Sequence, residues 1–65
     1  MKSKLIKLLE KKEISKTSLA DYLGISRTAL YMKLYSDRSF TFEEANKLKK
    51  ILGLSYQELK DCLLG

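Results

Sequence analysis

Apolar residues along this chain recur at intervals of three and four, and nowhere do they alternate in the strict two-residue rhythm of a strand. The pattern predicts an all-α fold. A first helix opens near Ser3 and carries Leu5, Ile6, Leu8 and Leu9 on its inner side. A second is predicted from Lys16 to Leu23, a third from Arg27 to about Tyr35, a fourth from Phe42 to Leu52 and a fifth from Tyr56 to about Leu63. On the fourth, Ala45, Leu48, Ile51 and Leu52 share a face, and Glu43 and Lys47 stand four apart as an exposed ion pair.

The helix starts are marked four times over. Ser15, Ser26, Thr41 and Ser55 can each accept a hydrogen bond from a first-turn amide. Each is preceded by an apolar residue (Ile14, Ile25, Phe40, Leu54) and followed four residues later by another (Leu19, Leu30, Ala45, Leu59), the spacing of a hydrophobic staple. Glu44 and Glu58, three after Thr41 and Ser55, complete capping boxes. Gly24, Gly53 and Gly65 fall where helices stop.

Between the second and third helices lie only Gly24, Ile25 and Ser26. So short a joint favours two helices crossing steeply over two lying side by side, the geometry of a helix-turn-helix. Gly24 takes the positive φ that ends one helix, Ile25 plugs the core from the turn and Ser26 opens the next helix. Ala20 is small because it lies at the crossing. The competing reading is a plain helical bundle in which Gly24 is an ordinary cap and Ala20 an ordinary core alanine.

Composition narrows the function. Sixty-five residues are read as one domain, residues 1–65, with a core that has little to spare. One cysteine and no histidine leave no disulfide framework and no Cys/His zinc site, and no acidic loop has calcium-binding spacing. Neither a metal nor a cofactor is expected. Cys62 reads as a packing residue suited to a reducing cytosol, and a cytoplasmic location is expected. No apolar run reaches membrane-span length, and Lys7 interrupts the only stretch resembling a signal peptide. The chain carries 13 Lys and Arg against 8 Asp and Glu, a net +5. Residues 1–16 hold six lysines against two glutamates, a local +4, whereas residues 41–65 are balanced. Such a bias suits a polyanion, although lysine-rich surfaces also serve solubility.

The segments Leu19-Ala20, Leu23-Gly24-Ile25-Ser26-Arg27 and Leu30 resemble the phage repressor/Cro type, the large XRE-like helix-turn-helix family. The similarity extends over nearly the whole chain. The "LGLSYQEL" of residues 52–59 resembles the family's Leu-Gly-Leu-Ser-x-x-x-Leu tail, and "SFTFEEANKL" resembles its fourth helix and entry. The resemblance implies a five-helix lambda-repressor-like domain, double-stranded DNA as partner, and a Cro- or repressor-like role in transcription. In one respect the chain departs from the pattern. Members often place an apolar residue three after the position of Leu30, where this chain has Lys33 and puts Leu34 one later. A subset of phage-type members shares that shift, which leaves the rotation of the third helix open.

If Leu30 and Leu34 point inward, a 100° step per residue turns Thr28, Tyr31, Met32 and Tyr35 outward, with Arg27 on the flank. No acid occurs from Gly24 to Ser36, as expected of a helix lying between two phosphate rails. Arg27 can clasp guanine O6/N7 or a phosphate, Thr28 and Met32 can touch a thymine methyl, and Tyr31 can reach a base edge or a phosphate. The same face could instead pack on a protein. At the start of the second helix, Lys16 and Thr17 combine free amides, helix dipole and positive charge, which suits a phosphate. The resemblance also places Ser26, Arg38, Ser39 and Phe40 at the DNA backbone, with Gly24, Ile25 and Ala20 shaping the turn.

Catalysis is not expected, since no nucleophile–base pairing and no phosphate-cradling glycine loop is present, and no small-molecule substrate is implied. The alternative to a DNA reader is a protein-binding module on the same fold, antirepressor- or antitoxin-like. These residues contain no second domain, so any dimer is expected to form through this fold on a pseudo-palindromic operator. The tail "LSYQELKDCLLG" has more apolar residues than one inward stripe requires, which singles out Tyr56, Leu63 and Leu64 as a weak dimer contact completed on DNA.

Overall fold

A computed structural model describes residues 1–64; Gly65, the third helix-ending glycine, lies outside the described residues. Five helices follow in order: α1 (Ser3–Lys11), α2 (Lys16–Leu23), α3 (Arg27–Tyr35), α4 (Phe42–Leu52) and α5 (Tyr56–Leu64). The last runs one residue further than its pattern indicates. No strand occurs among the described residues, and none of their helices is long and apolar enough to cross a membrane.

Each expected cap forms. Ser15, Ser26 and Thr41 accept from the amides of Ser18, Ala29 and Glu44 at 3.0–3.1 Å. Thr41–Glu44 and Ser55–Glu58 both close reciprocally as capping boxes, the two carboxylates accepting from the Thr41 and Ser55 amides at 2.9 and 2.8 Å.

The helix ends reveal a repeated device. The amide of Gly24 donates to the carbonyl of Asp21, and that of Ile25 to the carbonyl of Ala20, with Gly24 at φ 75°. Gly53 and Leu54 bond back to Lys50 and Lys49 in the same way, with Gly53 at φ 64°. So do Glu13 and Ile14, bonding to Glu10 and Leu9, with Glu13 at φ 57°. Three joints thus share one construction: a left-handed residue, an apolar residue, then a serine cap. The apolar residue closes the outgoing helix and staples the incoming one, and Ile14, Ile25 and Leu54 all pack against the core. This construction recurs in a four-residue joint between α1 and α2 and in three-residue joints between α2 and α3 and between α4 and α5, and what sets the α2–α3 pair apart is the face that follows it.

Leu5, Leu19, Leu30, Leu34 and Leu48 are fully buried, with Leu9, Leu23, Leu52 and Leu59 nearly so. Ala20, at 1% exposure, sits where α2 packs on its neighbours, so the site has no room for a larger side chain. The helices α2 and α3 pack on each other, α2 also meets α4, and α5 closes the domain against α1 and α4. Cys62 is buried, and burial first, with Asp61 nearby, pushes its thiol above the ordinary range, which makes it a packing group. The Glu43–Lys47 ion pair does not form. The ion pairs among the described residues are Lys4–Asp61 and Lys33–Glu44. Lys47 is half-buried, and Glu43 in the first turn already lies in the favourable field of the helix N-terminus.

These ends yield a paired prediction. A Cβ at Gly24 would meet nothing within 4 Å, so only its backbone conformation demands glycine. Gly24→Ala is expected to lower stability by about 1 kcal/mol, while Glu13→Gly, which relieves the same strain, raises it by about 0.5–1 kcal/mol. Urea denaturation of the two variants checks this; equal midpoints for both would remove the shared construction as an energetic fact.

Candidate nucleic-acid interface

Burying Leu30 and Leu34, four apart on α3, fixes the rotation of that helix. Arg27 and Thr28 are exposed, and Tyr31, Met32 and Tyr35 remain 50%, 39% and 41% exposed. The structure thus brings all five base-reading candidates to one accessible face. The Tyr31 and Tyr35 rings lie 5.6 Å apart, tilted by 43°. Lys16, at the start of α2, holds its ammonium 5.8 Å from one ring centre and 5.9 Å from the other. A cation in this position is attracted by both ring faces. Lys16 therefore belongs to the α3 face as much as to its own helix.

Thr17 and Ser26 are both exposed beside that face. The Ser26 oxygen already accepts from the Ala29 amide, and its hydroxyl hydrogen stays free to donate.

The segment joining α3 to α4 carries Arg38, Ser39 and Phe40, and it is held by two lysines. Lys33 donates to a Glu44 carboxylate oxygen at 2.8 Å and to the Ser39 carbonyl at 3.3 Å. Lys2 donates through its ammonium to the carbonyls of Lys33 and Arg38, and through its amide to the Leu34 carbonyl at 2.8 Å. The Ser36 hydroxyl and amide both close on the Met32 carbonyl. The carbonyls of Met32, Lys33 and Leu34, near the end of α3, are thus occupied. Arg38 and Ser39 are left exposed on the outside of this knot.

Two placements bear on the expected DNA contacts. Phe40 is half-buried, packed on the core with the Lys2 and Lys33 ammoniums 5.6 and 5.9 Å from its ring centre. Its ring serves packing. The N-terminal lysines, moreover, are not one free basic patch. Lys2 is turned into the knot, and Lys4 pairs with Asp61 on α5 at 2.9 Å.

Lys33, Lys2 and Glu44 are the residues that motif reading missed. Lys33 stood out only as a departure from the family pattern, and Glu44 only as a cap. Together they form a nearly buried pair, with side chains 14% and 10% exposed. Burial alone would raise the Glu44 carboxyl. The Lys33 and Thr41 hydrogen bonds, with the Lys33 charge, outweigh it and hold the group below the usual carboxylate range.

Residues 4–62 match the Cro/C1-type HTH DNA-binding domain, and the chain belongs to that family. It binds double-stranded DNA through its helix-turn-helix. No curated protein and no solved structure matches the chain.

The depressed Glu44 carboxyl makes stability depend on pH in a defined sense. Its contribution is complete above the ordinary glutamate value of about 4.3 and is lost as pH falls through the lower folded value. Glu44→Gln is expected to cost about 2 kcal/mol at pH 7, within the range typical of a hydrogen bond to a charged group. Melting curves of wild type and variant should converge as pH drops below about 4. A gap that stays constant from pH 7 to 3 would show that the charge of Glu44 contributes nothing.

Proposed function

We propose that this domain recognises a particular DNA sequence by seating α3 in the major groove, and that it acts as a Cro- or repressor-like transcriptional regulator. One observation carries the reading: the outward face of α3 has no acid and keeps Thr28, Tyr31, Met32 and Tyr35 accessible, with Leu30 and Leu34 buried behind them. A helix facing only water has no use for such a face, and a carboxylate there would be repelled by phosphate. In this reading Arg27 clasps a guanine edge, while Thr28, Tyr31, Met32 and Tyr35 meet neighbouring bases. Lys16, Thr17, Ser26, Arg38, Ser39 and the Phe40 backbone set the register on phosphates.

The operator is two-fold and the protein pairs on it. A single module covers only roughly 600–1,000 Å² of protein surface on DNA, so two modules on half-sites about 34–36 Å apart give the needed specificity. The contact we assign lies along α4 and α5. Tyr56 and Leu64 are 69% and 78% exposed, while Leu63 is half-buried against the core and lines the same apolar groove. Phe42, 74% exposed, joins them. Its place in a helix start hid it from the sequence pattern.

Selection from random duplexes with the purified protein tests sequence recognition directly; enrichment of no sequence overturns it. On a selected site, Arg38→Ala should weaken binding to all duplexes alike and flatten the log–log salt slope by about 1. Thr28→Ala should instead change the preferred base at one position and leave the slope unchanged. The reverse assignment would remove α3 as the reading helix. For pairing, sedimentation should show two proteins on the full site and one on its half, with Leu64→Lys binding singly and more weakly. One protein per site at full half-site affinity rules the dimer out.

A further inference from the structure

The outward face of α3 is poor in the groups that usually distinguish bases by paired hydrogen bonds. Residues 27–35 contain no Asn or Gln to bracket adenine and no Asp or Glu to accept from the cytosine amino group. Arg27 alone has a bidentate option, to guanine. The rest of the face is a threonine methyl, a thioether and two rings, with single hydroxyls on Thr28, Tyr31 and Tyr35 that cannot bracket a base edge in pairs. In the major groove the one apolar feature that matches such a surface is the methyl group on C5 of thymine.

The face is also shaped for it. Two shallow depressions lie along α3, one lined by Arg27, Thr28, Tyr31 and Met32, the other by Tyr31, Met32, Tyr35 and Ser36. Tyr31 and Met32 form the ridge between them. The walls of the second pack on one another without DNA, since Lys16 sits within 5.9 Å of both tyrosine ring centres, which are themselves 5.6 Å apart. Side chains that already pack on one another lose less freedom on binding than free ones. The two depressions are offset by about four residues, about 6 Å along the helix, close to two base-pair steps of about 3.4 Å.

Resting on the reading of α3 as the recognition helix, we propose that these depressions are sockets for the C5-methyl groups of pyrimidines. Each half-site then carries two methyl-bearing pyrimidines about two base pairs apart. Thymine and 5-methylcytosine present the same methyl group, and the experiment separates them.

The test replaces, one at a time, each thymine of a selected half-site by uracil, which removes the methyl and leaves the pairing edge intact. Two thymines about two base pairs apart are each expected to show about a fourfold loss of affinity, as the burial of one methyl predicts. In Met32→Ala, whose side chain is 39% exposed and carries no core, at least one of these losses should disappear. Placing 5-methylcytosine or cytosine at the same positions identifies the source. A fourfold preference for 5-methylcytosine shows that the socket takes the methyl from either base, and no preference assigns it to thymine; both outcomes sustain the proposal. A selected site whose uracil forms bind as tightly as the parent overturns it alone. Failure to select any site overturns the underlying reading and this proposal with it.

Discussion

The passage from α3 to α4 is organised around one nearly buried ion pair, Lys33–Glu44 at 2.8 Å. Glu44 is the only charged residue in the buried interior of the described chain, and the same oxygen that meets Lys33 also accepts from the Thr41 amide. A single carboxylate thus starts α4, neutralises the lysine on α3 and, through that lysine, holds the Ser39 carbonyl. Removing two charges from water is costly, and such a pair is weak evidence of stability for its own sake. Its geometric consequence is firmer. One carboxylate ties α3, through Lys33, to the start of α4 and to the segment between them.

The departure at Lys33 becomes intelligible on these terms. With an apolar residue at this position, α3 would add to the core but leave Glu44 without a cation. With lysine there, the apolar requirement passes to Leu34, which is fully buried, and the ammonium reaches across to α4. The shift of one residue leaves the outward set of α3 intact, since Leu30 and Leu34 remain one turn apart. Lys2 then completes what Lys33 begins, covering the carbonyls of Lys33, Leu34 and Arg38 from the far end of the chain.

Which features were legible in the sequence follows from the range of the interactions that make them. Caps, staples and helix-ending glycines act within about six residues, so Ser15, Ser26, Thr41, Ser55, Gly24 and Gly53 announce themselves, and the helices fall where these residues place them. Glu13 did not, because a glutamate seldom occupies the left-handed region, although Ile14-Ser15 repeats the pattern after Gly24 and Gly53. The accessible face of α3 was legible too, since it follows from two buried leucines and the helical step. The contacts of Lys2 and Lys4 were not. They cross 31 to 57 residues of sequence, and nothing local distinguishes a lysine that caps a distant helix from one that faces water.

That difference bears on how charge should be weighed in a domain this small. The net charge of +5 counts every lysine equally, yet Lys2, Lys4 and Lys33 have internal partners. Lys16 lies against two tyrosine rings. The lysine surplus of residues 1–16 is therefore partly structural. Arg27 and Arg38, the only two arginines, are both exposed, one opening α3 and the other in the segment that follows it. Guanidinium groups present planar, bidentate donors where ammonium groups present point charges. Lys2 and Lys33 thus turn their charge onto the protein itself, while both guanidinium groups stay accessible, one at the start of α3 and one just after it.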